Sequence, residues 1–107
     1  MTGGPLYLVA VIRPRPDRLA EADRELRALM SETRRESGCV RMDLVVEEGE
    51  DGNAPIWYML EQFRSRADWD LHMQTDHVTE GNRRLADLLR EPTVLHFYTD
   101  KQASPSG

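Results

Sequence analysis

Apolar residues follow two different periods along this chain. Leu6 to Ile12 (LYLVAVI) is a continuous run rich in β-branched and aromatic residues, which reads as a strand. It is closed by Arg13-Pro14-Arg15-Pro16, whose prolines cannot continue a strand ladder. From Pro16 to Ser37 the period changes. Leu19, Ala22, Leu26, Leu29 and Met30 recur at spacings of three and four, which lays an apolar stripe along one face of a helix. Pro16 suits the first turn. Asp17 and Glu21 near the start, and Arg34 and Arg35 near the end, complement the helix dipole. Gly38 is placed to close the helix in a left-handed cap.

Cys39 to Glu47 (CVRMDLVVE) then alternates, with Val40, Met42, Leu44 and Val46 on one side and Arg41, Asp43 and Glu47 among those on the other; this is a second strand. Glu48 to Pro55 is polar and turn-rich, and Ile56 to Phe63 (IWYMLEQF) resumes strand character, so the two strands are expected to form a hairpin with a long loop. Ser65 followed by Asp68 resembles a capping box that opens a short helix through about Met73. Thr75 caps a further start, with Val78, Leu85, Leu88 and Leu89 as the inner stripe of a helix ending before Pro92. Thr93 to Thr99 (TVLHFYT) is a fourth strand. The order β-α-β-β-α-β predicts an α+β, ferredoxin-like domain over residues 1–99, a four-stranded antiparallel sheet with its helices on one face. Residues 100–107 are expected to form a flexible tail.

One face of such a sheet is left uncovered, yet both faces are apolar. Leu6, Leu8 and Ile12 lie opposite Tyr7, Val9 and Val11, and Ile56, Tyr58 and Leu60 lie opposite Trp57, Met59 and Phe63. An exposed apolar face of several hundred Å² usually marks an interaction surface, and two-fold self-association is the commonest way to cover it. A homodimer through the open sheet face is therefore predicted.

Composition narrows the function classes. With 107 residues and 39% hydrophobic content, the chain builds one modest core and has no room for a separate cofactor-binding domain. The net charge of −5, from 19 acidic and 14 basic residues, is spread without the basic cluster that nucleic acid or anionic lipid selects. The run Leu6–Ile12 is too short to span a bilayer and no cationic segment precedes it as in a signal peptide, so a cytoplasmic location is expected. Cys39, the single cysteine, allows neither an internal disulfide nor a cysteine-based zinc site, and reads as a small buried hydrophobe.

An ordered set of short motifs resembles the antibiotic biosynthesis monooxygenase family. The set comprises Glu61-Gln62-Phe63, then Ser65, His72, Gln74-Thr75 and His77, with the Arg13 to Pro16 turn and Glu36-Ser37-Gly38-Cys39 upstream. Together these residues span roughly Leu8 to Leu89. The resemblance implies a dimeric α+β barrel in which each subunit keeps a pocket between sheet and helices. It also implies oxygenation of polycyclic phenols, quinols or anthrones without metal, flavin or haem, because a deprotonated, electron-rich substrate itself reacts with oxygen. Haem-degrading relatives use an Asn, a Trp and a ligating His at places that hold Ile12, His72 and Asn82 here, which disfavours that branch.

Within this frame His72 is the candidate general base, since a neutral imidazole near pH 7 accepts a phenol proton. The plain alternative is a helix-end histidine that caps carbonyls. Glu61, on the strand face of Trp57, Met59 and Phe63, is a carboxylate among apolar groups that needs a partner; it would orient a histidine or raise its basicity, or pair with an arginine for structure alone. His77 lies five residues after His72 across a helix break, which is not a helical metal-pair spacing, so no metal is predicted and His77 is read as a supporting polar group. Trp57, Met59 and Phe63 are candidates for the substrate wall, with Phe63 standing where tryptophan is commonest in the family. Arg13 would meet an anionic substrate or a carboxylate, and Asn82 would point a polar group inward from mid-helix. Because one fold hosts many functions, a dimeric binding module that takes a small molecule without turning it over is the alternative reading.

Overall fold

The computed structural model describes residues 4–47 and 54–103. Four strands, β1 (Leu6–Ile12), β2 (Cys39–Val46), β3 (Trp57–Phe63) and β4 (Val94–Thr99), form one antiparallel sheet in the order β2-β3-β1-β4. Three helices, α1 (Leu19–Thr33), α2 (Arg66–Met73) and α3 (Asp76–Ala86), complete the ferredoxin-like α+β fold expected from the sequence. Most of the long loop expected between β2 and β3, residues 48–53, lies outside the described residues, as does the end of the expected tail at 104–107; Lys101–Ala103 forms a single 3₁₀ turn.

The central strand β1 fixes the two faces. Leu6, Leu8, Ala10 and Ile12 are buried toward the helices, whereas Tyr7, Val9 and Val11 are half-buried on the other side. The register places Leu8 opposite Glu61 and Ala10 opposite Met59, and Met42 opposite Glu61 from the other flank. Glu61 therefore points toward the helices with Phe63 and Met59 on the same strand face. In β2 the strict alternation fails at its first step. A register shift between Cys39 and Arg41 leaves Val40 unpaired and 53% exposed, instead of aligned with Met42, the expected result of a β-bulge.

Helix α1 is shorter than the apolar period predicts. Pro16–Arg18 is a separate 3₁₀ turn, and the helix closes at Thr33. Its core face is Ala22, Leu26, Met30 and Thr33. After it, Arg35 N–H donates to Glu32 O and Glu36 N–H to Thr33 O, tightened turns that satisfy the last carbonyls. Gly38 does not supply a left-handed cap; it is required for space. A Cβ there would sit 2.5 Å from Cβ of Asp68, so the loop after α1 lies directly against the first turn of α2. Helix α3 also stops before its predicted end. Beyond it, Leu88 O accepts from Arg15 N–H, Arg90 N–H donates to Arg13 O, and Pro14 bridges Leu89, so residues 88–90 are tied to the exit of β1.

Candidate functional site

A largely apolar cavity of about 530 Å³ lies between the helix-covered sheet face and the helices. Ala10, Met42 and Met59 line its sheet side and Leu26, Trp69 and Leu85 its helical side. Two side chains with acid–base chemistry reach it from the interior, Glu61 from β3 and His72 from the last turn of α2.

Glu61 makes no hydrogen bond or ion pair among the described residues, and burial pushes its carboxyl up from the ordinary 4.5 to about 7. The expected partner for it is absent, and it does not orient a histidine. Near pH 7 it is therefore divided between a hydrogen-bond-donating acid and a charged base, the state that acid–base catalysis favours.

His72 is 6% exposed, and its ring packs against Phe63 with centroids 4.9 Å apart. Its Nδ1 lies 2.9 and 3.1 Å from the two carboxylate oxygens of Glu36. Nε2 of His77 lies 2.5 Å from the same carboxylate. Three segments distant in sequence meet here. The tightened turns after α1 bring in Glu36. Ser65 Oγ accepts from Asp68 N–H (3.1 Å) to start α2, as the capping-box pattern predicts. Thr75 joins α2 to α3, its hydroxyl donating to His72 O (2.7 Å) and accepting from Val78 N–H (3.4 Å). This one residue sets the helix break that holds the two imidazoles 6.1 Å apart.

Nδ1 of His72, Nε2 of His77 and a Glu36 oxygen all lie within 4.8 Å of one another, a donor set of two histidines and one carboxylate that a divalent transition ion uses. The sequence expectation of no metal rested on the His72–His77 spacing and did not include Glu36. As placed, the nitrogen–oxygen separations are those of charge-assisted hydrogen bonds, which leave the carboxylate satisfied without an ion.

The other candidates separate. Met59 and Asn82 line the cavity, Asn82 from its exposed rim. Phe63 does not: it is fully buried behind His72, so it supports the histidine from beneath where a substrate wall was expected. Trp57 packs against the core and does not line the cavity, although its strand neighbour Ile12 does. Arg13 lies 3.8 Å from Glu91 and does not line the cavity. His77 is likewise outside the lining, on the far side of Glu36. Cys39 keeps a protonated thiol, since burial and then the charges of Glu36 and Glu61 push its pKa up. Trp69 and Glu36 are among the residues that sequence reasoning did not assign to the site. Trp69 follows Asp68 on the cavity face of α2, a position that helical spacing from His72 could have indicated.

Residues 5–84 match the antibiotic biosynthesis monooxygenase family. The chain belongs to that family. Among its relatives is a Mycobacterium tuberculosis protein named "Putative monooxygenase Rv0793", 31% identical over 91 residues that cover 85% of this chain and 86% of that one. The solved structure of Rv0793 superposes with a TM-score of 0.79, covering 94% of this chain and 99% of that one at 29% identity. PA3566 from Pseudomonas aeruginosa gives a TM-score of 0.79 at 31% identity, covering 91% and 94%. A conserved protein from Methanosarcina mazei Go1 gives 0.84 at 26% identity, covering 92% and 94%. A monooxygenase-like function is what this family membership supports. No helix among the described residues is long and apolar enough to cross a membrane.

Proposed function

We propose that this member of the family is a cofactor-independent monooxygenase acting on a small aromatic quinol, phenol or anthrone held between the sheet and the helices. The observation that carries this reading is the presence together, in one apolar cavity, of Glu61, which has no partner among the described residues, and a buried His72. His72 takes the proton of the bound phenol or anthrone, and the resulting anion reacts with oxygen. One oxygen atom becomes the new carbonyl of the substrate and the other leaves as water. The substrate supplies all four electrons, from the methylene carbon of an anthrone or from the ring of a phenol or quinol as it becomes a quinone, so the balance needs no external reductant. Glu61, in its protonated form, donates to the developing oxyanion, and the apolar lining excludes water that would solvate the anion. His77 acts from behind Glu36, and Met59 and Asn82 contact the substrate.

The assembly is a homodimer. Its support is the open sheet face, where Val94 and Tyr98 are 43% and 51% exposed beside half-buried Tyr7, Val9 and Leu60.

Oxygen uptake with a hydroquinone and anthrone panel tests the activity. Wild type consumes one oxygen molecule per substrate, and His72→Ala loses roughly 10²–10⁴-fold in kcat while still binding the substrate. Binding of phenols by wild type without oxygen uptake would replace this reading with the binding module.

A further inference from the structure

The base in the proposed reaction must present a lone pair to the cavity, and an isolated imidazole does not decide which of its nitrogens does so. We infer that Glu36 is the positioning residue for His72: it accepts the Nδ1–H and thereby leaves Nε2 as the proton acceptor facing the substrate. This assignment rests on the reading of His72 as the base.

The geometry on each side of the ring supports it. On one side, both Glu36 oxygens lie within hydrogen-bonding distance of Nδ1. A carboxylate only accepts, so the proton in that bond belongs to the histidine. On the other side, Nε2 has no partner among the described residues. It is also not sealed in the core, because the one fully buried side-chain polar atom without a partner there is Oγ1 of Thr33. A nitrogen that is unpaired but not sealed, on a side chain lining the cavity, has the cavity as its surroundings. Phe63, tilted against the imidazole at a centroid distance of 4.9 Å, limits rotation.

His77 completes the device. Its Nε2 donates to the same Glu36 carboxylate, which fixes that carboxylate from the side away from the cavity and takes up one of its lone pairs. When Nε2 of His72 gains the substrate proton, the imidazolium forms already hydrogen-bonded to a negative group, with no side chain needing to move. Glu36 does not line the cavity and acts through His72 alone.

Long-range ¹H–¹⁵N NMR of the wild-type imidazoles tests this without any substrate. The expected result is a His72 spectrum with protonated Nδ1 and bare Nε2 in the neutral state, and the reverse tautomer overturns the assignment. Glu36→Gln keeps the side-chain volume but offers one oxygen to two imidazoles and no charge. It should give mixed His72 tautomers and roughly 10–100-fold lower kcat, the size usual for groups that orient a reactive histidine, with KM unchanged. Glu36→Asp should recover part of both. An unchanged tautomer in Glu36→Gln overturns the assignment. So does stoichiometric cobalt or zinc binding at micromolar concentration that moves both histidine signals and is lost in Glu36→Gln, since the cluster would then be a metal site. Wild type with the expected tautomer and no oxygen uptake removes the monooxygenase reading and leaves the Glu36 assignment intact.

Discussion

The two faces of the sheet come from the same strands, alternate residue by residue, and yet differ in what they bury. The helix-covered face holds Leu8, Ala10, Met42 and Met59 together with one carboxyl, Glu61, that has no partner among the described residues. The open face presents Tyr7, Val9, Leu60 and Tyr98, apolar and partly exposed. A carboxyl without a partner costs stability where it is dry, so its presence on the closed face supports the acid–base role proposed for it. Apolar groups left wet on the other face support the proposed homodimer interface there. The same alternation therefore separates the proposed place for a substrate from the proposed place for a partner.

The largest effect should come from breaking the open face. Val9 lies on the central strand between Leu60 and His96, so Val9→Glu puts a charge in the middle of the proposed interface. Light scattering after size exclusion should show complete conversion of dimer to folded monomer. A dimer that survives would move the interface elsewhere.

The closed face is tested by pH. Because the folded carboxyl of Glu61 titrates at about 7 against an ordinary 4.5, the folded state binds its proton more tightly than the unfolded chain does. The fold therefore loses stability as pH rises from about 4.5 to 7 and bears the full cost above that. Denaturant unfolding should give Glu61→Gln the same unfolding free energy as wild type at pH 4 and up to ~3 kcal/mol more at pH 8, while activity is lost. Equal stabilisation at both pH values would mean that packing, not charge, is responsible.

A smaller effect sharpens how the closed face is assembled. Gly38→Ala forces a methyl against Asp68, the residue that caps α2 with Ser65. The expected cost is ~1–3 kcal/mol, accompanied by lower activity because α2 carries His72. A variant with wild-type stability would show that the loop yields freely.

How much was legible beforehand depended on the range of the interaction. The strand runs, the Ser65 and Thr75 caps and the two-faced pattern are local, and each appears in the structure within a few residues of its expected place. The boundaries that moved did so for tertiary reasons. Helix α3 gives up its last turn because Leu88 and Arg90 bond to the segment after β1. Gly38 is constrained by Asp68, thirty residues away, and not by its own backbone angle. Sequence surroundings point to both His72 and Glu61 but not to how they relate: Glu61 has no partner among the described residues, and the histidine's partner is Glu36. Phe63 was correctly placed on the inner face, yet depth along that face, which alternation does not encode, put it under His72 and out of the cavity.

The sequence by itself determined the elements, their order, the apolar inner face that carries Glu61, and the excess of apolar residues on the outer one. These follow from periodicity, capping and composition, which act over a few residues. Only the tertiary structure decided that a carboxylate from the loop after α1 stands between two histidines on α2 and α3, and that Glu61 remains without a partner among the described residues. Hydrogen bonds of that kind join residues 36 and 41 positions apart. Nothing in a local pattern specifies such a pairing until packing of the helices on the sheet brings the three side chains within reach.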